Sequence, residues 1–143
     1  ISGGSRVNVV AEYASAEVDA RAPTKDAADR LVAAMKALTP KTPGTTVTVV
    51  GGFGRPPLER SAHVVELYAL ARSVAAEMGH ELAEGGTGGG SDGNFTAALG
   101  VPTLDGLGAV GDGAHAIDEH VDVDALAWRA ALVAGLIVRL GAR

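Results

Sequence analysis

The sequence contains no cysteine, very few aromatic residues and no excess of basic residues. Without cysteine, disulfide scaffolds, thiolate zinc sites and cysteine nucleophiles are excluded. Lysine and arginine number 12 against 17 aspartate and glutamate, so the formal net charge is −5, whereas a nucleic-acid surface needs clustered cations. No apolar run reaches the roughly 18 to 20 residues of a membrane span, because charges interrupt every candidate. We therefore expect neither a nucleic-acid partner nor a membrane partner.

The start of the sequence carries no recognisable targeting signal. The first residue is Ile1, and no basic and then apolar leader follows it. We interpret the chain as one whose start has been removed, or as an excised fragment. The compartment is not readable from this end: we expect a cytoplasmic protein, and periplasmic and secreted locations stay open.

Apolar residues and glycine are abundant. Apolar residues make up 47% of the 143 residues and charged residues 20%, which excludes an acidic or low-complexity disordered tail. A chain of this length can bury roughly 70% of the surface that it exposes when unfolded. Eleven of the 20 glycines lie between Gly85 and Gly113. Glycine at this density favours backbone freedom and close approach rather than side-chain packing.

Hydrophobic periodicity predicts a mixture of strands and helices. Extended structure is predicted by alternation or by β-branched residues at 5–22, 45–50, 81–83 and 101–104. Helical spacing predicts four helices, at about 24–38, 61–78, 92–99 and 122–141. The predicted core stripe of the last helix is Leu126, Ala130, Val133, Ile137 and Leu140. This order, with a break near residue 55, predicts an α/β or α+β fold.

The glycine-rich stretch allows several interpretations. A G-x-G-x-x-G pattern occurs twice, at Gly88, Gly90 and Gly93 and at Gly106, Gly108 and Gly111. The dinucleotide fingerprint requires a strand before it and a helix after it; the first match follows a poor strand and the second is followed by more loop. Consecutive glycines can instead aim backbone N–H groups and a helix start at a carboxylate or phosphate. A plain tight turn is the third interpretation, and no P-loop motif occurs.

One histidine stands in a setting suited to metal binding. His115 follows a predicted strand in a flexible loop, and carboxylates lie close behind it; imidazole is a common zinc ligand whose tautomer a carboxylate can fix. A zinc site needs three or four protein ligands. No H-x-x-x-H or H-E-x-x-H spacing occurs, so further ligands would lie elsewhere, some of them off this chain. His63 and His80 are predicted to be surface residues, and His120 is a weaker candidate.

Arg55 stands at the predicted break between the two parts of the chain. Pro56 and Pro57 stiffen the backbone beside it, and a guanidinium held there can clamp a carboxylate with two parallel hydrogen bonds. A solvated hinge arginine is the alternative. Asn8 and Arg21 lie on the front extended segment and carry no signal by themselves.

Together, these motifs resemble the C-terminal part of the zinc-dependent glutamate carboxypeptidase, aminoacylase and acetylornithine deacetylase superfamily. The residues that carry the resemblance are Asn8-Val9-Val10, Val18-Asp19-Ala20-Arg21, Gly54-Arg55-Pro56-Pro57, Gly88-Gly89-Gly90-Ser91-Asp92, Gly100-Val101-Pro102-Thr103, Gly113-Ala114-His115 and Glu119-His120-Val121. No single motif is specific, but their order is, and the likeness covers essentially all of the chain. The sequence is most similar to the glutamate carboxypeptidase branch.

The resemblance implies a fragment of a two-domain α/β metallopeptidase. Residues 1–53 would be the C-terminal part of its lid or dimerisation domain, and residues 54–143 the closing part of its zinc catalytic domain. Because many members of this superfamily dimerise through the lid, it also implies a homodimer for the intact protein.

The resemblance further implies site residues on both parts of the chain. His115 would be a zinc ligand, and the only one on this chain. The residues expected to contact substrate are Arg55, Asn8, Arg21, Gly89, Gly90 and Ser91. The other ligands of the two zinc ions and the glutamate base match nothing here, so no catalytic residue is expected on this chain. We expect Arg55 and His115 to belong to a single pocket.

The implied activity of the intact protein is zinc-dependent hydrolysis of an amide bond next to a free carboxylate, in a small peptide or an N-acyl amino acid. The chain by itself is expected to be inactive. A non-catalytic association module is the alternative, in which an exposed edge of an incomplete lid sheet binds another chain. A nucleotide-binding protein is a third possibility.

Overall fold

Four helices and four very short strands make up the computed structural model, which describes residues 1–142. The helices are α1 (Lys25–Lys36), α2 (Ala62–Glu77), α3 (Gly93–Ala98) and α4 (Val123–Gly141). The strands are β1 (Ser2–Gly3), β2 (Ala14–Ser15), β3 (Gly111–Asp112) and β4 (His120–Val121). They form two separate antiparallel pairs, β1 with β2 and β3 with β4. This mixture of helices and small sheets confirms the α/β prediction.

Polar caps set the helix starts where the sequence predicts them. The Thr24 hydroxyl accepts a hydrogen bond from the Ala27 N–H at 3.1 Å, and the Asp122 carboxylate accepts one from the Asp124 N–H at 3.0 Å. Such caps satisfy amide groups that the first turn leaves without a helical partner. Beyond the end of α2, Gly79 adopts a left-handed φ of 78°, which costs glycine little.

The hydrophobic core lies between α2 and α4. Its buried residues are Ala71, Val74, Ala75, Leu132 and Leu136. Gly135 allows the two helices to approach, because a methyl group at this position would lie 2.8 Å from Cγ1 of Val74. The core face predicted for α2 is therefore confirmed at Ala71, Val74 and Ala75, whereas Met78 at its end is exposed.

The core stripe predicted for α4 is wrong by one residue along the helix. The buried residues of α4 are Ala125, Arg129, Leu132 and Leu136. In the predicted stripe, Leu126 is 42% exposed and Ile137 is 66% exposed. Both faces of α4 are apolar, so periodicity alone cannot choose between them, and contact with α2 decides which one is buried. The other face has no partner among residues 1–142.

The strands predicted at 45–50, 81–83 and 101–104 form no ladder within the described part of the chain. A strand requires a neighbour to satisfy its backbone N–H and C=O groups, and residues 1–142 supply none for these segments. In 5–22, only β2 pairs, with β1. The predictions of strands at these three places are therefore wrong for the chain as it stands.

The chain exposes far more surface than a self-contained domain of its size. Its accessible surface is 11023 Å², whereas a compact monomer of 14.3 kDa is expected to expose about 6,800 Å². The large apolar residues that are at least 90% exposed are Ile1, Val7, Val10, Val50 and Ile117. The described residues by themselves therefore leave much apolar surface uncovered. None of the described helices is long and apolar enough to cross a bilayer.

Candidate functional site

Arg55 lies against the glycine loop, defined here as residues 85–92, which precedes α3. A methyl group at Gly90 would lie 2.6 Å from Cδ of Arg55, so the loop passes this side chain with room only for glycine. The Arg55 guanidinium carbon lies 5.0 Å from the centre of the Phe95 ring, a cation–π contact. One guanidinium nitrogen lies 3.5 Å from the Asp92 carboxylate. The side chain remains 41% exposed, so its head is oriented by these groups and still open to a ligand.

Arg21 reaches the same loop from the front part of the chain. Its Nη1 donates a hydrogen bond to the Gly88 carbonyl oxygen at 3.0 Å. Its Nε and Nη2 donate to Oδ2 of Asp19 at 3.3 and 2.9 Å. The hydrogen bond with the Asp19 carboxylate, and secondly its charge, raise the pKa of Arg21. The fold therefore places two guanidinium groups on the glycine loop, beside Gly88 and beside Gly90.

Side-chain hydrogen bonds of Asn94 hold the end of the glycine loop beside the Arg55 segment. The Ser91 N–H donates to Oδ1 of Asn94 at 2.8 Å, and Nδ2 of Asn94 donates to the Pro56 carbonyl oxygen at 2.7 Å. The Gly93 N–H donates to the Ser91 hydroxyl at 3.1 Å. These three bonds connect the loop, the start of α3 and the backbone next to Arg55.

The structure argues against the dinucleotide interpretation of the glycines and limits the interpretation as an anion cradle. The Ser91 amide bonds to the Asn94 side chain, the Gly93 amide to the Ser91 hydroxyl, and the Gly89 amide to the Thr87 hydroxyl at 3.2 Å. These three amides are therefore not free to bind an anion. No strand lies directly before the first G-x-G-x-x-G match in residues 78–92, and the second match leads into β3 instead of a helix. Neither match has the strand–loop–helix context of a dinucleotide site.

His115 lies in the turn between β3 and β4. Its φ of 68° makes it the one non-glycine residue in the left-handed region among residues 1–142. Such a conformation is uncommon outside glycine, although asparagine, aspartate and histidine adopt it more often than other residues. The imidazole is exposed, and it forms no hydrogen bond or ion pair with another described residue. His115 is thus presented to solvent on a defined turn.

The described residues do not form a complete metal site. No group of three or more histidine, aspartate or glutamate side chains in residues 1–142 is placed to hold a metal ion. A zinc ion takes three or four protein ligands. His115 could supply one of them, so the remaining ligands of any zinc site would come from elsewhere.

The predicted site residues are only partly brought together. Gly89, Gly90 and Ser91 belong to the glycine loop. Arg21 contacts the loop at Gly88 and Arg55 contacts it at Gly90, so Gly89 lies between the two contacts. Asn8 is exposed in the turn between β1 and β2, and its side chain forms no hydrogen bond with the described residues. A common pocket for Arg55 and His115 stays a prediction.

One cavity borders the glycine loop and another lies nearer to α1, and neither is lined by Arg55, Arg21 or His115. One, of about 440 Å³, adjoins the ion pair of Arg60 and Glu84, whose nitrogen and oxygen atoms lie 2.8 to 2.9 Å apart. This pairing lowers the pKa of the Glu84 carboxyl and raises that of Arg60, mainly through the side-chain hydrogen bonds. The other cavity, of about 590 Å³, separates α1 from the Pro56–Pro57 segment.

Sequence reasoning missed three residues that shape the arginine sites: Asp19, Asn94 and Phe95. Two signals were available. Phe95 is one of only two phenylalanines in a chain with 3% aromatic residues, and Asp19 stands two positions before Arg21, where an extended backbone places both side chains on one face. Nothing in the sequence indicated that Asn94 would reach Pro56.

The described residues thus combine two arginines on one glycine loop with large uncovered apolar surfaces in an α/β chain. Comparison with known proteins identifies the family of the chain. The family model of peptidase family M20/M25/M40 matches residues 7–139, and the chain belongs to this family.

Carboxypeptidase G2 of Pseudomonas sp. (strain RS-16) is 33% identical to the chain over 146 residues. The alignment covers 97% of this chain and 34% of that protein, so the chain spans about a third of the length of the curated relative that it matches. No solved structure matches the chain significantly. Peptidases of this family are generally zinc-dependent.

Proposed function

We propose that the intact protein is a zinc-dependent hydrolase that cleaves an amide bond next to a free carboxylate, and that this chain supplies its carboxylate-binding wall. Family membership and the likeness to a carboxypeptidase support the reaction class. The observation that carries the proposal is the placement of two guanidinium groups on one glycine loop. Small peptides and N-acyl amino acids are the proposed substrates.

Arg55 is the proposed primary clamp. Phe95 and Asp92 orient its guanidinium before any ligand arrives, so less side-chain entropy is lost when the ligand binds. A planar guanidinium can then form two parallel hydrogen bonds to a carboxylate. Gly90 is part of this arrangement because any side chain there would displace Arg55.

Arg21 and Asn8 are proposed to reach the substrate from the front part of the chain. Arg21 has five N–H donors, of which Asp19 and Gly88 use three. The remaining two can bind a substrate carboxylate while the contact with the loop persists. Asn8 would approach only when the front part closes over the loop, and Gly89 and Ser91 would border the bound ligand.

His115 is the proposed zinc ligand of this chain. When bound, zinc supplies Lewis-acid activation of the amide carbonyl and of water. The residues of this chain bind and orient the substrate, and the remaining zinc ligands and the general base lie outside it. A homodimer and a cytoplasmic location also stay proposals.

The clamp can be tested with the full-length protein, an N-acyl amino acid and the same compound with its carboxylate converted to an amide. We expect Arg55→Lys to raise KM for the free acid at least about tenfold, because lysine cannot form the two-pronged contact. The preference for the free acid over the amide should largely disappear. Arg30→Lys on α1 is the matched control. It should change neither KM for the free acid nor the preference for the free acid over the amide. An unchanged KM in Arg55→Lys would refute the clamp.

The zinc assignment calls for a variant that keeps the backbone of the turn. Asparagine tolerates a left-handed φ, so His115→Asn removes the imidazole with little strain. We expect the full-length variant to retain less zinc after dialysis than the unchanged protein, and His63→Asn on α2 to retain a normal amount. Normal zinc content in His115→Asn would exclude His115 as a ligand.

An association module is the second candidate, and the large exposed surface is the observation that favours it. The rest of a larger peptidase would cover the same surface. The two candidates therefore differ in whether mixing the chain with the remaining part of the protein restores amide hydrolysis. Solution mass of the chain, measured with and without the remaining part of the protein, detects association. Amide hydrolysis on mixing favours the peptidase, whereas a stable complex that hydrolyses nothing favours the association module.

A further inference from the structure

The Asp19 carboxylate engages the edge of the Arg21 guanidinium that does not face the glycine loop. Asp19 and Arg21 are two residues apart on extended backbone, which places their side chains on the same face. Oδ2 of Asp19 accepts from both Nε and Nη2 of Arg21, at 3.3 and 2.9 Å. This forked contact fixes the rotation of the guanidinium about the end of the side chain.

The opposite edge of the guanidinium meets the loop. Nη1 donates to the Gly88 carbonyl oxygen at 3.0 Å, and a methyl group at Gly88 would lie 3.1 Å from Nη1 and 3.3 Å from Cδ. The two contacted residues are 67 positions apart in sequence. Arg21 therefore links the front extended segment to the loop that carries the Arg55 contact.

Arg21 has little else to hold it. Its side chain is 63% exposed, and that of Asp19 is 74% exposed. A long, solvated side chain samples many rotamers, and a single backbone carbonyl is a weak anchor for it. Without the carboxylate, the guanidinium would leave the loop for much of the time.

We propose that Asp19 is a positioning residue, which holds Arg21 across the glycine loop so that its free N–H groups face the site. This inference rests on the proposed function, because it assigns to Asp19 a part in binding the substrate carboxylate. Asp19 itself does not contact the substrate. Its carboxylate would repel an anionic ligand, and its benefit comes only through the placement of Arg21.

Charge repulsion and positioning by Asp19 predict opposite changes in KM, so the direction of the KM change in Asp19→Asn distinguishes them. If Asp19 only neutralises Arg21, its removal frees a positive charge and KM for a carboxylate substrate falls. If Asp19 positions Arg21, KM rises. In the full-length protein we expect KM to rise about tenfold, with kcat changed less than twofold, because a binding contact is lost and the reacting groups are untouched. Asp19→Glu, which keeps the charge, should recover part of the loss.

A double-mutant cycle separates positioning from general structural support. In an Arg21→Ala background, Asp19→Asn should have no further effect on KM, because its partner is already gone. Asp26→Asn is the matched control: it removes the same charge from an exposed ion pair, with Arg30 on α1, and should leave KM unchanged. An unchanged or lower KM in Asp19→Asn, or an equal effect in both backgrounds, would overturn the proposal.

Hydrogen exchange supplies a readout that does not depend on hydrolysis. Asp19→Asn and Arg21→Ala should speed exchange of the glycine-loop amides by the same factor, and Asp26→Asn should not change it. If the unchanged protein hydrolyses no tested amide, the proposed function fails, and the exchange data still decide whether Asp19 holds Arg21. If hydrolysis is normal but exchange and KM are unaltered in Asp19→Asn, only the positioning role fails.

Discussion

Residues 1–53 and residues 54–142 have comparable sequence signals for structure but differ in what their apolar residues contact. In the second part, α2 packs on α4 and buries side chains completely, Leu132 among them. In the first part, α1 contacts no other helix or strand, and Ala28 is its only buried residue. The contrast shows that a correct helix with a correct cap does not produce a core unless a second apolar surface faces it.

The arginine contacts lie where the two parts meet. Arg21 belongs to the part without a core, and the glycine loop that it contacts belongs to the part with one. The proposed site therefore combines a loop held by side-chain hydrogen bonds of Asn94 with an exposed arginine held by Asp19 and by the Gly88 carbonyl. Four measurements test the contrast between the two parts.

The largest effect is expected in the core between α2 and α4. Leu132 is fully buried, so Leu132→Ala should lower the free energy of unfolding by about 2 to 5 kcal/mol through lost burial and a cavity. Leu31→Ala on α1 is the matched change, and because Leu31 is 37% exposed it should cost under about 1 kcal/mol. Urea denaturation measures both. Equal losses of unfolding free energy in the two variants would show that Leu31 is buried in solution against another apolar surface.

A second effect concerns the close approach of the two core helices. Alanine favours a helix over glycine by about 1 kcal/mol, but a methyl group at Gly135 would lie 2.8 Å from the buried Val74. We expect Gly135→Ala to be destabilising on balance, by about 1 to 3 kcal/mol. Gly141→Ala meets nothing within 4 Å and is the control. A Gly135→Ala variant as stable as the control would mean that α2 and α4 separate easily.

The third prediction addresses the contact between Arg55 and the loop. Gly90→Ala must displace Cδ of Arg55, whereas a methyl group at Gly86, in the same loop, meets nothing within 4 Å. We expect Gly90→Ala to weaken carboxylate binding by the full-length protein about tenfold and to leave stability almost unchanged, because Arg55 is a flexible side chain. Gly86→Ala is the control and should leave both unchanged. Identical affinities for the two variants would show that Arg55 does not bind where the structure places it.

The smallest effect is expected from the ion pair beside the 440 Å³ cavity. The pKa of Glu84 lies below its ordinary value of 4.5, so its contribution to stability is present above that pH and is lost as the pH falls through the lowered value. Arg60 stays charged throughout. The stability difference between the unchanged chain and Glu84→Gln should therefore shrink on acidification below about pH 4.5. A difference that does not depend on pH would exclude a charged pair in solution.

Sequence reasoning identified the helices, but not how they are arranged; the predicted site residues stay predictions. Thr24 and Asp122 cap helices as predicted, because capping involves atoms only two or three residues apart. The buried face of α4 was predicted wrongly, because two apolar faces carry the same local signal. Arg55 and Arg21 do contact the glycine loop, but sequence reasoning did not place Phe95 or Asp19 beside them, because it did not use the scarcity of phenylalanine or the spacing of two between Asp19 and Arg21.

Local sequence alone sets where the helices begin and end, where glycine is concentrated, and which residues match the family. Contacts between distant segments set which face of α4 is buried, which extended segments obtain partners, and that two arginines from distant positions meet one loop. The physical reason is that capping and periodicity depend on neighbours within a few residues, whereas burial and strand pairing depend on partners far away in the chain or outside it.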